Sequence, residues 1–508
     1  MNHWIIAPIV LPALVAPLIV LALRYDLLLQ RVASLAACAG LLGLAVGLIA
    51  MAGEGPPQAY LLGDWPAPFG IVLVLDRLSA MMVLLTALLG LGVAGYAAGS
   101  GWDTRGRHFH ALLQFQLMGL CGAFLTGDLF NLFVFFEVLL IASYGLMLHG
   151  GGAARLKAGV HYIVANLAGS TLFLFAVGAI YAATGTLNMA DLAVKAGSAT
   201  AENADLLRVG GLLLLAVFAL KAALVPLHFW LPTAYAAAPA PSAALFAVMT
   251  KVGAYSVLRV YTLIFGAEAG SSAWLAADWL IPAALVTLAV GAVGVLGARR
   301  LGALVCFSVV ASMGTVMAGV GLFTERSAAA AMFYMAHSTL AAAALFLIVE
   351  LVSERRTRGD RIAPAPQMRH GELVGGFFMV AAIAMAGLPP LGGFLGKLMV
   401  LDAARADPAV WWIWAVVLTG SLVMVVGFAR AGSVLFWRVE GEPAEGLSKP
   451  ANAPLWATGA ALAALAALTV WAGPVTGYME AAAAQLHAPQ DYVDAVLGAQ
   501  TVAARALP

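Results

Sequence analysis

Charge is what this sequence has least of. Only 10% of its 508 residues are Asp, Glu, Lys or Arg, against about 25% in soluble domains. With 63% hydrophobic residues, such a chain could not cover a water-facing surface, so lipid must be its solvent. The net charge of +1 and the lack of a basic tract interleaved with aromatics exclude nucleic acid as a partner. Cysteine is scarce too. Cys38, Cys121 and Cys306 stand alone in apolar runs, with no CxxC pair or adjoining histidine cluster, and read as packing thiols rather than metal or redox ligands. There is no G-x-x-x-x-G-K-[ST] loop for ATP, no cysteine set for an iron–sulfur centre, and the histidines are too scattered for haem or zinc. No cofactor is expected. An ion gradient or a partner is left as the energy source.

Long apolar runs fill the chain instead. A helix needs about 20 apolar residues to cross a bilayer. Fourteen stretches meet that need: 4–23, 32–51, 71–97, 110–126, 129–148, 158–183, 206–231, 242–266, 273–297, 301–323, 327–352, 373–401, 410–437 and 453–473. The first has no positive n-region and no cleavage site, and reads as a retained helix rather than a signal peptide. The stretch 475–506 mixes Met479, Leu486, Tyr492, Val493 and Leu497 with Glu480, Asp491 and Asp494, which suggests an amphipathic helix lying in the interface. No soluble domain and no long flexible linker are expected; the longest charged loop is 353–371.

Loop charges set the orientation. One set of alternate loops carries Arg24 and Arg31, Arg105 and Arg107, Arg155 and Lys157, Arg299 and Arg300, five arginines from Arg355 to Arg369, then Arg438 and Lys449. The other set carries only Lys195, Arg208, Arg326, Arg405 and Arg505. Basic residues accumulate on the inner side of a membrane. An even helix count then puts both termini outside, in a bacterial inner (plasma) membrane.

Two spans are interrupted. One reads Lys221-Ala-Ala-Leu-Val-Pro226-Leu-His228-Phe-Trp-Leu-Pro232, the other Gly387-Leu-Pro389-Pro390-Leu-Gly392-Gly393-Phe-Leu-Gly396-Lys397. Proline removes a backbone donor and clashes with the preceding turn. In lipid the freed carbonyls need partners, so such breaks persist only beside protein or water. Each break is close to a lysine, and the two are about five spans apart. Paired broken helices at matching places point to an inverted repeat with a transport path between its halves.

A few ionisable residues lie at membrane depth. Glu137 is about 12 Å along its helix at 1.5 Å per residue, where a charge costs about 3 kcal/mol on insertion scales. It is either a neutral group bonded to a neighbouring helix or, as favoured here, a carboxylate tuned by a nearby cation. Lys221 and Lys251 are its expected partners. Burial disfavours a lysine's charge and a close carboxylate restores it, so such a lysine can hold or release a proton. Lys397, after the second break, reads as the terminal proton site facing outside, with an interfacial anchor as the plainer alternative. His337 is a candidate relay between Lys251 and Lys397, with a simple interhelical hydrogen bond close behind. His228, inside the first break, is a possible auxiliary group or a cap for a freed carbonyl. Pro226, Pro389 and Pro390 mark the helix breaks. Asp76 and Arg77 are expected to pair with each other or with a neighbouring subunit, in a structural role. Arg259 and Arg430 are candidates to tune a neighbouring group. His161 and Lys157 lie near a helix end, where a surface role is favoured for Lys157.

The stretch from Gly127 to Gly145 around Glu137, the stretch from Met249 to Val260 around Lys251, and Gly387 to Lys397 together resemble the D-type component of the multisubunit Mrp-type (Sha/Pha) cation/proton antiporters. The resemblance covers nearly the whole chain. The wider family includes the antiporter-like subunits of respiratory complex I and of membrane-bound hydrogenases, which share the Glu–Lys–Lys–His–Lys series. The resemblance implies an all-α polytopic fold of about 14 transmembrane helices, with two inverted five-helix repeats and breaks in helices 7 and 12. The divisions would be 1–98, 110–266 for the first repeat, 273–437 for the second, and 453–508. It further implies that Glu137 and Lys221 form an input-side pair, that Lys251 and His337 continue a central axis, and that Lys397 is the outlet. The chain ends soon after its fourteenth span, which fits the D-type component rather than the longer A-type one.

Three functions compete at this point. The first is a subunit of a secondary transporter, not an enzyme. It would work with other antiporter subunits in the lipid bilayer and supply the path for protons exchanged against Na+ or K+. The second is a proton-pumping antiporter-like subunit of a redox complex. The third is an assembly scaffold whose buried charges only hold helices together.

Overall fold

The computed structural model describes residues 2–441 and 452–498. Lys449, Arg505 and the tail 499–506 lie outside these residues.

Apolar runs flanked by caps and glycines become helices in chain order. They are α1 (Ala7–Leu21), α2 (Leu27–Gly53), α3 (Arg77–Ser100), α4 (Phe109–Leu125), α5 (Leu129–Leu148) and α6 (Ala153–Thr184). A short α7 (Met189–Gly197) precedes α8 (Ala201–Lys221) and α9 (Trp230–Ala237), then α10 (Ala240–Leu263), α11 (Ala277–Gly297), α12 (Leu301–Gly321) and α13 (Glu325–Arg355). The chain continues with α14 (Gly371–Ala386), α15 (Gly392–Ala403), α16 (Val410–Gly432), α17 (Ala453–Val470), α18 (Ala472–His487) and α19 (Pro489–Leu497). Eleven of these elements are long and apolar enough to cross a membrane, and α1, α4 and α14 are shorter apolar helices. The total matches the fourteen spans expected.

Both expected breaks are present. One span divides into α8 and α9 around residues 222–229, the other into α14 and α15 around 387–391. Pro226, Pro389 and Pro390 lie on the outer surface, while Lys221 and Lys397 are buried. That division has a physical reason. Proline has no N–H to satisfy, so at a break it can face an apolar surround where another residue would strand a donor.

The bundle is layered around α10, α12 and α13. The best apolar window of α10 is wholly buried, and that of α13 nearly so. By contrast α2, α16 and α17 keep most of theirs on the outside. Close packing relies on glycine at a few places. A Cβ on Gly253 of α10 would lie 2.5 Å from Ala222 N and 2.6 Å from Phe218 O, so α10 presses directly on the end of α8 beside Lys221.

One expectation is corrected. The run 71–97 is not helical from its start. Val72–Leu75 instead forms strand β2, paired antiparallel with β1 (Gln58–Leu61) in register Gln58 to Leu75. A four-residue run of β-branched and leucine side chains suits either state, and Asp76 decides the matter by capping α3 through Ser79. The segment after α17 is helical, as its amphipathic pattern suggests. It forms α18 and α19, and α18 packs against α13 and α3 with Met479, Ala482, Ala483 and Leu486 buried. Its apolar face finds protein to bury against, which serves as well as lipid.

Candidate functional site

Of the five ionisable residues singled out from the sequence, Lys221 and Lys397 fall on the elements that make the two breaks, Lys251 and His337 on helices between them, and Glu137 on α5, ahead of the first break. Lys221 is the last residue of α8. Its Nζ donates to Asn166 Oδ1 of α6 at 3.0 Å and lies 5.9 Å from the centre of the Phe136 ring. A cavity of about 10 Å³ between Phe136, Asn166, Lys221 and Trp230 faces it, roughly the space one water occupies. Trp230 Nε1 donates to Leu220 O at 3.1 Å, a carbonyl at the end of α8 that also accepts from Ala223 N at 3.1 Å.

Glu137 acts on Lys221 electrostatically but does not touch it. Among the described residues no ion pair joins them, and Glu137 Oε1 is buried without a hydrogen-bond partner. The expected input-side pair is thus not a contact pair; Asn166 takes the near position. Glu137 is also only half-buried. Its helix shows an outward face, with Val134 38% and Ile141 65% exposed.

Lys251 is 0% exposed, in the middle of α10, and its Nζ has no hydrogen-bond partner. An ammonium ion taken fully out of water and left unpaired is among the costliest arrangements in a protein.

His337 and Lys397 meet at the second break. His337 Nε2 donates to Ala384 O at 3.0 Å. A carbonyl only accepts, so Nε2 carries a proton, and the buried Nδ1, with no partner, is left to take or release another. Lys397 Nζ donates to Ala386 O and to Ser421 Oγ, both at 2.8 Å. Gly387, at φ +81°, is needed here, because a Cβ would lie 2.7 Å from Lys397 Cδ. Gly393 is needed as well: its Cβ would meet Ala384 O at 2.0 Å and His337 Nε2 at 2.6 Å. Lys397 is buried, so it is no interfacial anchor.

His228 sits half-buried inside the first break with Nδ1 unpartnered. His161 and Lys157 are exposed. Arg430 donates to Ala298 O at the end of α11. Asp76 does not pair with Arg77. It forms a buried double contact with Arg259 of α10, at 2.8 Å from Nη2, while Arg77 donates to Gly53 O. Arg259 is thereby engaged two turns from Lys251 on the same helix.

Several contributors were not singled out beforehand. Asn166, Ser421 and Thr469, whose Oγ1 accepts from Gly392 N at 3.0 Å, are polar residues inside apolar spans. That interruption was the available signal. No group of three or more His, Cys, Asp or Glu suited to a metal ion occurs among the described residues.

Comparison with known proteins identifies the family. Residues 126–423 match the family described as NADH:quinone oxidoreductase/Mrp antiporter, transmembrane. The chain is 40% identical to the D-type component of a probable K(+)/H(+) antiporter of Rhizobium meliloti, over 98% of each chain. It is 37% identical to the D-type component of the Na(+)/H(+) antiporter of Bacillus subtilis, covering 98% of this chain and all of that one. One chain of the Mrp complex from Dietzia sp. superposes with a TM-score of 0.86 at 28% identity, over 98% of this chain and all of that one. The chain belongs to the NADH:quinone oxidoreductase/Mrp antiporter transmembrane family, within which these relatives are the D-type components of cation/proton antiporters.

Proposed function

We propose that this chain carries protons in a multisubunit antiporter that exchanges them for a monovalent cation, Na+ or K+, across the bacterial plasma membrane. The observation that carries the reading is Lys251, an unpartnered and fully buried lysine on the central helix, between Lys221 at one break and His337 with Lys397 at the other. Each of these groups can hold a proton, and a proton on one changes the affinity of the next. In this reading segments 110–266 and 273–437 are inverted halves, Glu137 and Lys221 serve the first, and Lys397 is the outlet of the second. His228 is an auxiliary group. The arginine-rich loops face the cytoplasm and both termini face outward. The chain acts as a transporter component rather than an enzyme.

The outward face of α5 supports the need for partners. Glu137 is only half-buried beside exposed Val134 and Ile141, and a carboxylate at that depth is costly against lipid. Another protein of the complex covers that face in this reading.

The test is cation-dependent dissipation of a pH gradient in everted vesicles. The full complex is compared with one lacking this chain and with assembled Glu137→Ala and Lys397→Ala complexes. Loss of exchange in all three supports the reading. Normal exchange by an assembled Glu137→Ala complex would refute it.

A further inference from the structure

Away from the two breaks, the arginine-rich end of the bundle holds an open cavity of about 620 Å³. Its walls come from the turn after α3, from α9, from the first turns of α10 and from the last turns of α13. Ala243 of α10 lines it, and Lys251 lies eight residues further along that helix, about 12 Å at 1.5 Å per residue. The cavity thus opens toward the axis of buried lysines from the side that is cytoplasmic in the proposed orientation.

Glu350 of α13 is buried on the wall of this cavity. Its carboxylate oxygens accept from neutral donors: Oε1 from Trp102 Nε1, Oε2 from Tyr96 Oη at 3.2 Å. The nearby guanidinium groups have other partners. Arg105 pairs with Glu354 at 3.2 Å and stacks on Trp102. Arg155 donates to the carbonyls of Ala237, His149 and Gly151. On its own helix Glu350 is flanked by Glu354, a like charge one turn away, and by Arg355, which donates to Leu351 O. Across the cavity Arg300 and Asp360 pair with each other at 2.8 Å.

Such a setting tolerates both protonation states. As a carboxylate, Glu350 accepts from the indole and the phenol. As an acid, it can donate its own proton to Tyr96 Oη, whose hydroxyl turns away, while Trp102 keeps the other oxygen. The same cavity is lined by Tyr235, whose buried hydroxyl has no partner. The Tyr235 ring packs on Trp230 at 5.6 Å, and Trp230 in turn borders the small void at Lys221. Tyr235 therefore stands between the cavity and the first break.

We propose that Glu350 is the carboxylate through which the buried lysine axis exchanges protons with water at the arginine-rich end, with Tyr235 beside the route. This inference rests on the proton-carrying role given above. In the step itself the Glu350 O–H bond breaks, the proton leaves on cavity water, and the carboxylate keeps the electron pair. A proton arriving from the axis re-forms the acid.

Glu350→Gln separates this role from a structural one, because the amide preserves shape and still accepts from Trp102. The assembled E350Q complex is expected to dissipate the pH gradient at least tenfold more slowly. E350D should recover much of the rate with a displaced pH profile, and Tyr235→Phe should slow exchange severalfold. Wild-type rate and pH profile in assembled E350Q overturn the proposal. Glu137→Gln in the same vesicles separates the two failures. If E350Q alone exchanges normally, only Glu350 is wrongly assigned; if both do, the proton-carrying role itself is wrong. Should E350Q not assemble, pH-difference infrared spectra of the wild-type and E350D complexes decide. A titrating carboxylic C=O band that shifts in E350D supports the proposal, and its absence overturns it.

Discussion

His337 and Lys397 donate to the same helix end. Nε2 of the first reaches Ala384 O at 3.0 Å, a carbonyl that also accepts from Gly387 N at 3.2 Å, and Nζ of the second reaches Ala386 O at 2.8 Å, whose helical donor would have been the nitrogen of Pro390. The end of α14 at this break thus offers two carbonyls that accept from two proton-binding side chains. The arrangement depends on Gly393, where an added Cβ would sit 2.0 Å from Ala384 O. Gly393→Ala should push the start of α15 away from α14 and cost about 1–3 kcal/mol of stability, as overpacking does. Cation-driven proton exchange should fall more than tenfold, because the His337 contact is displaced with it. Thermal unfolding of the purified complex and vesicle exchange measure the two effects separately.

Lys251 gives the sharpest contrast between a carrier and a scaffold. Its ammonium is fully buried without a partner, so it adds nothing to the fold through hydrogen bonding. Lys251→Met keeps the volume and removes the stranded polar group. Replacing such a group by an apolar one of similar shape is neutral or stabilising by about 1 kcal/mol. The variant should assemble, unfold at the same or a higher temperature, and lose proton exchange. A marked loss of stability would instead mean that Lys251 holds helices together.

Asp76 and Arg259 are expected to behave in the opposite way. They form a buried ion pair between the start of α3 and α10, and Asp76 also caps α3 through Ser79 N at 2.8 Å. Asp76→Asn strands the Arg259 charge and should cost about 3–5 kcal/mol, seen as loss of assembled complex. Asp76→Asn combined with Arg259→Met should recover part of that loss, because the stranded charge is gone. A double variant as damaged as the single one would show that the stranded Arg259 charge is not what destabilises the single variant.

The spans were legible because lipid demands long apolar runs, and the breaks because proline and glycine interrupt two of them. Glu137, Lys221, Lys251 and Lys397 stood out as charges where lipid excludes charge. What the sequence could not give was partnership across distance. Asp76 finds Arg259 183 residues away, and Lys221 finds Asn166 55 residues away. Neither spacing has a local periodicity to betray it. Glu350 escaped notice because it lies five residues from the end of α13, where a glutamate reads as an ordinary interfacial charge. Only the fold shows that Trp102 and Tyr96 enclose it. The β1–β2 hairpin was missed because Val72–Leu75 is as apolar as the helix that follows.

Asp128 offers a pH test outside the membrane spans. It caps α5, accepting from Asn131 N at 2.8 Å, and burial raises its carboxyl to about 6 from the usual 3.8, against the opposing pull of the Asn131 and Phe130 amides. The sign follows from linkage. The folded state holds this proton more tightly than the unfolded chain, so Asp128 leaves stability unchanged below pH 4. It then lowers stability as pH rises from about 4 to 6, and the deficit persists above that. Asn is as good a helix cap as Asp and carries no charge. Asp128→Asn should therefore match the wild type near pH 4 and exceed it on the order of 2 kcal/mol at pH 8. Unfolding temperatures of the two complexes across that range test the sign. A variant less stable than wild type at pH 8 would mean that the carboxylate is held by an interaction stronger than its burial cost.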